Sequence, residues 1–191
     1  IPARRQPRWV RGDWQLLPWL TGLAVAGRGP ISALGRWKII DNLRRSLTAP
    51  LSLAALGIGW LMPVPAAATW TALVLGMLAL RFLLPLPFAL LPGRAGITAS
   101  SHVGALGDDA RMAAERIALE IALLPDTAAR MADAILRTGW RLCVSRRNLL
   151  EWMTAANASQ RGRLGLLDQY KDMAAGVGLG LVVAGGAITL N

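Results

Sequence analysis

The sequence has 191 residues, of which 54% are hydrophobic, and its mean hydropathy is +0.42. It carries 21 Lys and Arg against 11 Asp and Glu, which gives a formal net charge of +10. This composition is too apolar for an ordinary soluble domain and favours a membrane protein with basic loops. Nucleic-acid binding is disfavoured because the cations are interspersed with Trp and Leu instead of forming a polar patch. The single cysteine, Cys143, excludes an internal disulfide and a thiolate metal cage.

The charges divide the chain into four predicted segments. Lys and Arg number nine in residues 1–46, one in 47–93, eleven in 94–172 and none in 173–191. We therefore expect a mainly α-helical membrane protein with cytoplasmic segments at 1–46 and 94–172, a transmembrane hairpin at 47–93 and a further transmembrane helix at 173–191. Because the sequence starts with Ile1 and ends in an apolar run, we also expect it to be a piece of a longer protein.

The first segment opens with a cluster of cations and indole rings. The cluster comprises Arg5, Arg8, Trp9, Arg11, Asp13 and Trp14. An arginine guanidinium can bind a phosphate through two parallel hydrogen bonds, and the face of a tryptophan can stack on a sugar ring. Interfacial anchoring would explain Trp9, Trp14 and Trp19, which recur every five residues, but not the arginines that accompany them. The pattern therefore favours a sugar-phosphate site over an anchor alone.

The second segment has the pattern of a membrane hairpin. Two apolar stretches, 47–62 and 66–91, flank a proline break at 63–65, and a bilayer core needs about 20 helical residues. Arg81 would cost roughly 3 kcal/mol in a membrane helix unless it pairs or reaches the surface. We interpret it as lying near a helix end at the interface, and a buried functional arginine is the alternative. The basic flanks predict that the turn lies outside and both neighbouring segments in the cytoplasm.

The third segment has amphipathic periodicity. An apolar stripe precedes Pro125 and another follows it: Leu106, Ala110, Ala113, Ile117, Ile121 and Leu124, then Met131, Ile135, Leu142, Leu149 and Met153. We expect two helices separated at Pro125, the second capped by Asp126 or Thr127. An Asp133–Arg137 pair should stabilise the second helix by a few tenths of a kcal/mol, on the order known for such spacing.

The last segment, 173–191, is apolar and rich in small residues. Its Gly176-x-x-x-Gly180 spacing is typical of membrane helices that approach a neighbour closely. A nucleotide-binding loop is disfavoured because no lysine accompanies these glycines. We expect a third membrane helix here.

Two sets of motifs resemble known enzymes. Arg5-x-x-Arg8-Trp9 resembles the Q/R-x-x-R-W signature that ends the cytoplasmic catalytic domain of processive family-2-type glycosyltransferases. Longer stretches, in the same order along the chain, are similar to bacterial cyclic β-1,2-glucan synthases. These stretches are 8–20, 36–47 and 145–152.

The resemblance implies an inner-membrane enzyme that takes glucose from UDP-glucose and builds β-1,2-glucan on a glucan acceptor. Residues 1–46 would be the end of its transferase domain with an interfacial helix. Trp9 would line the acceptor site, Arg5 and Arg8 would stabilise the diphosphate leaving group, and the remaining cluster residues would support them. A divalent metal, Mg or Mn, is implied, with its ligands and the catalytic base expected before Ile1. By itself the chain is therefore expected not to transfer glucose.

The acids within the chain have other interpretations. Asp108 and Asp109 lie at the predicted start of an amphipathic helix, where negative charge favours the helix dipole. Asp13 and Asp41 are expected to orient arginines. A non-catalytic inner-membrane scaffold or transport subunit, whose tryptophans are only anchors, is the alternative function.

Overall fold

The computed structural model describes residues 2–20, 31–91, 98–147 and 166–190. Within these ranges the chain forms helices and no strand, which confirms the predicted mainly α-helical fold. The helices are α1 (Pro2–Trp14), α2 (Leu17–Leu20), α3 (Ala33–Gly59), α4 (Val64–Leu83), α5 (Pro85–Ala89), α6 (Ala99–Ala122), α7 (Leu124–Trp140), a π-helical turn (Arg141–Ser145) and α8 (Leu166–Leu190).

The chain divides into two compact units. The first comprises Ile1–Leu53 and Pro125–Val182, and the second comprises Ala54–Leu124 and Val183–Asn191. The predicted segment boundary after residue 46 falls inside α3, which is one continuous helix. The organisation into four segments by charge stays a prediction.

In the first unit, α1 packs against α7. Val10 is buried and forms a small apolar core with Met131 and Ala134, and Trp14 and Ile135 pack against this core. The buried positions of α7 recur every three or four residues, as an amphipathic helix requires: Ala128, Met131, Ala134 and Thr138. The buried Thr138 hydroxyl is satisfied because it donates to the Ala134 carbonyl at 2.7 Å.

The start of α7 differs from the sequence-based expectation. The helix begins at Leu124, so the prediction that Asp126 or Thr127 caps it is wrong. Asp126 lies inside the first turn, where its carboxylate pairs with Arg130 at 2.7 Å. A carboxylate in the first turn also favours the helix dipole.

Close helix contact occurs at the predicted glycines of α8. A Cβ atom on Gly176 would lie 2.8 Å from the backbone nitrogen of Asp126, and a Cβ on Gly180 would lie 3.2 Å from Cγ of Pro125. Real Cβ atoms essentially never approach another atom as closely as the first distance. The small residues therefore let α8 approach the start of α7 at the level of the backbone, as the spacing predicted.

In the second unit, the end of α3 and the first half of α4 form a helical hairpin. Trp60 donates its indole N–H to the Thr71 hydroxyl at 2.9 Å, and Trp70 donates its own to the Ala55 carbonyl at 2.7 Å. α4 begins directly after Pro63, at the predicted proline break. Proline is tolerated in the first turn of a helix because the missing N–H would lack an intrahelical partner there.

α4 and α5 form one apolar stretch, Val64–Ala89, which is long and apolar enough to cross a membrane by length and composition. Within the described ranges it is the one helix that meets this criterion, and the apolar part of α8, Met173–Gly186, is shorter. α4 and α5 both pack on α6. The Thr98 hydroxyl caps α6 by accepting the N–H of Ser101 at 3.4 Å. Because α6 begins at Ala99, Asp108 and Asp109 lie in the middle of this helix, and the prediction that they lie at a helix start is wrong.

Candidate functional site

The predicted sugar-phosphate cluster lies on α1. Positions 5, 8 and 9 follow the i, i+3, i+4 spacing that brings residues to one face of a helix. Trp9 is 70% exposed and Arg8 is half-buried, whereas the side chain of Arg5 lies outside the described part of the chain. An exposed indole face can stack on the C–H face of a sugar, and a neighbouring guanidinium can bind a phosphate.

The following turn of α1 is anchored to α3. Asp13 accepts a hydrogen bond from Nδ2 of Asn42 at 3.0 Å, and Trp14 donates its indole N–H to Oγ of Ser46 at 2.9 Å. Two of the three residues predicted to support the site, Asp13 and Trp14, therefore hold the helix in place. The third, Arg11, is half-buried on the same helix.

The α3 residues of this anchor, Asn42 and Ser46, were not among the site residues predicted from the sequence. Ser46 is 5% exposed and occupies a position in an otherwise apolar buried stripe. The stripe comprises Ile39, Leu43, Ala49, Leu53 and Leu56. A serine among the apolar residues of this stripe is a sign of a contact with another element, because a buried hydroxyl requires a hydrogen-bond partner. Asn42 lies one turn earlier on the exposed side and gave no such signal.

Asp41 on α3 forms ion pairs with two arginines of its own helix. Its Oδ1 lies 2.8 Å from Nη2 of Arg44, and its Oδ2 lies 2.6 Å from Nη2 of Arg45. The hydrogen bond from Arg44 lowers the pKa of Asp41 below its ordinary value, and Arg45 lowers it further. Partial burial raises the pKa, but by less than Arg44 lowers it. Asp41 therefore stays ionised at neutral pH and orients arginines, as expected, which does not suit a general acid.

The acidic side chains of the described residues do not form a metal site. Among the residues that the structure describes, no group of three or more His, Cys, Asp and Glu could hold a metal ion. In the described part of the chain, five acids instead pair with arginines: Asp41, Glu115, Glu120, Asp126 and Asp133. Mg and Mn require several oxygen ligands at one point, so the described residues do not fit the divalent metal that the resemblance implies.

Arg81 lies in the last turn of α4, near a helix end as predicted. Its side chain is 57% exposed, and Nη2 lies 2.5 Å from Oε2 of Glu120 on α6. The guanidinium also lies over the ring of Phe82, 4.5 Å from its centroid. Arg81 is therefore paired with an acid and is not buried by the protein itself.

The third stretch that carries the family resemblance, 145–152, is described only in part. The π-helical turn ends at Ser145, and Arg146 follows it with a left-handed φ of 49°. Residues 148–152, which include Leu149 of the predicted apolar stripe, lie outside the described residues.

These features define a class: a helical protein with a helix of membrane-spanning length and a separate helix that presents an exposed tryptophan. The chain is 40% identical over 184 residues to the cyclic beta-(1,2)-glucan synthase NdvB of Rhizobium meliloti (strain 1021). The match covers 95% of this chain and 6% of the relative, so the chain spans a small part of that protein's length. No family model matches the sequence. This similarity to a cyclic β-1,2-glucan synthase confirms the resemblance drawn from the motifs.

Proposed function

We propose that this chain is a segment of a bacterial inner-membrane glucosyltransferase that polymerises glucose from UDP-glucose into cyclic β-1,2-glucan. The observation that carries the proposal is the 40% identity to NdvB over nearly the whole chain. The geometry of α1 supports the further proposal that this segment contributes the acceptor and diphosphate site. On α1, Trp9 is exposed while the next turn is fixed to α3.

In this proposal Trp9 and the two arginines Arg5 and Arg8 have different roles. The ring of Trp9 stacks on the terminal sugar of the glucan acceptor, whose 2-hydroxyl forms the new bond to the anomeric carbon of the donor glucose. The bond from that carbon to UDP breaks in the same reaction, and negative charge develops on the departing diphosphate. Arg8, with Arg5, stabilises this charge, because fixed cations lower the barrier most where charge develops. The forked guanidinium suits the diphosphate oxygens.

The remaining chemistry belongs to other parts of the proposed enzyme. A Mg or Mn ion would help to neutralise the diphosphate, and its ligands and the catalytic base would come from residues outside this chain. Residues 1–46 and 94–172 would face the cytoplasm, where UDP-glucose is present, with Val64–Ala89 in the lipid bilayer. The positive charge of both flanks supports this orientation.

The site is tested by replacing Trp9 and Arg8 in the whole synthase and measuring glucan synthesis at matched expression. We expect Arg8→Ala to lower kcat by about 10²-fold, the scale found for removing one donor at a developing charge. We expect Arg8→Lys to restore only part of the rate, because lysine lacks the forked geometry. Trp9→Ala should mainly raise the KM for acceptor, by up to about tenfold for the loss of an aromatic contact.

Trp37→Ala is the matched control, because Trp37 is 66% exposed on α3 and has no role in the proposed site. Its activity should match that of the unmodified enzyme. If Trp9→Ala and Arg8→Ala also retain full activity, the site assignment is wrong. In that case the alternative function, a non-catalytic scaffold or transport segment with tryptophan anchors, becomes the better account.

A further inference from the structure

We propose that Asn42 and Ser46 are positioning residues that fix the rotation and height of α1, and thereby aim Trp9 and Arg8 at the substrates. The inference rests on the proposed function of α1. It assigns a role to two α3 residues that never touch the sugar or the diphosphate.

The contact at Ser46 is directional. The Ser46 hydroxyl accepts the indole N–H of Trp14 at 2.9 Å and donates its own hydrogen to the Leu43 carbonyl at 2.8 Å. Because its hydrogen is committed to the carbonyl, the oxygen presents lone pairs to the indole and cannot turn away. Ser46 is also buried, so water cannot readily replace either partner.

The contact at Asn42 adds a second fixed point. Asn42 and Ser46 lie one turn apart on α3, and their partners Asp13 and Trp14 are adjacent on α1. A hydrogen bond to a carboxylate is stronger than one between neutral groups. With the buried Val10 as a third contact on α7, the helix can neither slide along α3 nor turn about its own axis without losing bonds.

Rotation is the motion that matters for Trp9. Each residue of an α-helix advances about 100° around the axis and rises about 1.5 Å, so a slip of one residue would turn the indole ring away from its present direction. A displacement of about 1 Å at a reacting group can cost about 10²-fold in rate. The two α3 contacts therefore control whether Trp9 and Arg8 meet the substrates in the same register.

The first test uses Ser46→Ala in the whole synthase, with Thr48→Ala as its control. Thr48 is exposed on the same helix, and its hydroxyl bonds within that helix by donating to the Arg44 carbonyl at 3.1 Å. We expect Ser46→Ala to lower kcat/KM by about tenfold and Thr48→Ala to change it less than twofold. Equal effects of the two variants would overturn the assignment.

The second test exchanges the partners of the other contact. Asn42→Asp places a second carboxylate opposite that of Asp13, and the repulsion should lower kcat/KM by about tenfold. Adding Asp13→Asn restores an amide facing a carboxylate with the direction of the bond reversed, and should recover most of the loss. Because Asn42 is exposed, these variants should fold even if Ser46→Ala does not. Failure of the exchange to restore activity would contradict the proposal.

The third test separates positioning from general stability. If Ser46 acts through Trp9 and Arg8, then Ser46→Ala should cost about tenfold in the unmodified enzyme but only two- to threefold when Trp9→Ala and Arg8→Ala are both already present, because coupled residues are non-additive. A merely structural role predicts the same loss in both backgrounds, and that result would overturn the inference. If Trp9→Ala itself has no effect, the proposed function of α1 fails; if only the Ser46 and Asn42 variants have none, the positioning role fails alone.

Discussion

Arg81 on α4 and Glu120 on α6 form an ion pair of 2.5 Å within the second unit. The pair gives the cation of the apolar stretch Val64–Ala89 a partner of opposite charge. The Arg81 side chain is 57% exposed and that of Glu120 is 29% exposed, so in water the pair would be screened and worth about 1 kcal/mol or less. Next to lipid the same pair matters more, because an unpaired arginine is costly in hydrocarbon.

We expect Glu120→Gln to destabilise the protein, and to do so more in lipid bilayers than in detergent solution. The expected loss in detergent is no more than about 1 kcal/mol in the free energy of unfolding. Glu115→Gln is the control, because Glu115 pairs with Arg111 on the same helix and both side chains are well exposed. Thermal unfolding of both variants in detergent and in vesicles measures the difference. Equal shifts for the two variants would show that the Arg81 pair has no special role.

Gly59→Ala should disrupt the hairpin of the second unit. A Cβ at this position would lie 2.8 Å from Cγ and Nε1 of Trp70, whose indole is held by the Ala55 carbonyl. The ring must move and lose that hydrogen bond, so we expect a destabilisation of about 1–3 kcal/mol, as for other overpacked sites. Gly76→Ala in α4 is the control. A Cβ at Gly76 meets open space, and alanine favours a helix by up to about 1 kcal/mol. The midpoints of thermal unfolding should therefore shift in opposite directions.

The glycines of α8 give a graded prediction for the first unit. Gly176→Ala should destabilise most, because its Cβ would meet the backbone of Asp126. Gly180→Ala should cost less, since Pro125 lies 3.2 Å away and the pyrrolidine can shift slightly. Gly178→Ala should be neutral or stabilising, because a Cβ there meets nothing within 4 Å. Free energies of unfolding of the three variants that do not follow this order would contradict the packing of α8 on α7.

Local features of the fold could be predicted from the sequence, and long-range contacts could not. The helix break just before Pro125, the Asp133–Arg137 pair and the close approach at Gly176 depend on residues within a few positions of one another or on a short spacing rule. The Trp14–Ser46 bond joins residues 32 positions apart. No local pattern connects such residues, because their meeting depends on how two helices pack.

The same distinction applies to the candidate site. Its arginines and tryptophans were identified from their chemistry and from the resemblance to a family, and α1 then supplied the spacing between positions 5, 8 and 9. Which of these residues face outward depended on tertiary contacts. Burial of Val10 against α7 turns one side of α1 inward and leaves Trp9 exposed. Hydrophobicity does not predict this arrangement, because Trp9 is more apolar than many buried residues.

The pairing of Asp41 predicts a pH dependence of stability. Its pKa is lowered in the folded protein, chiefly by the hydrogen bond from Arg44 and further by Arg45. The folded state therefore binds the proton less readily than the unfolded state, in which the pKa of an aspartate is about 3.9. The stabilisation is complete above that value and is lost as the pH falls through the lower, folded pKa.

A comparison of the unmodified protein with Asp41→Asn tests whether this stabilisation is lost as the pH falls. We expect a small advantage of the unmodified protein in the midpoint of thermal unfolding at pH 7, which should vanish as the pH is lowered below about 4. High salt should reduce the advantage at neutral pH, because the ion pairs are exposed. When Arg44→Gln and Arg45→Gln are already present, Asp41 has no arginine of this pair of contacts left. Asp41→Asn should then leave the midpoint of thermal unfolding unchanged. An advantage that grows on acidification, or that persists without the two arginines, would show that the carboxylate of Asp41 stabilises the fold in another way.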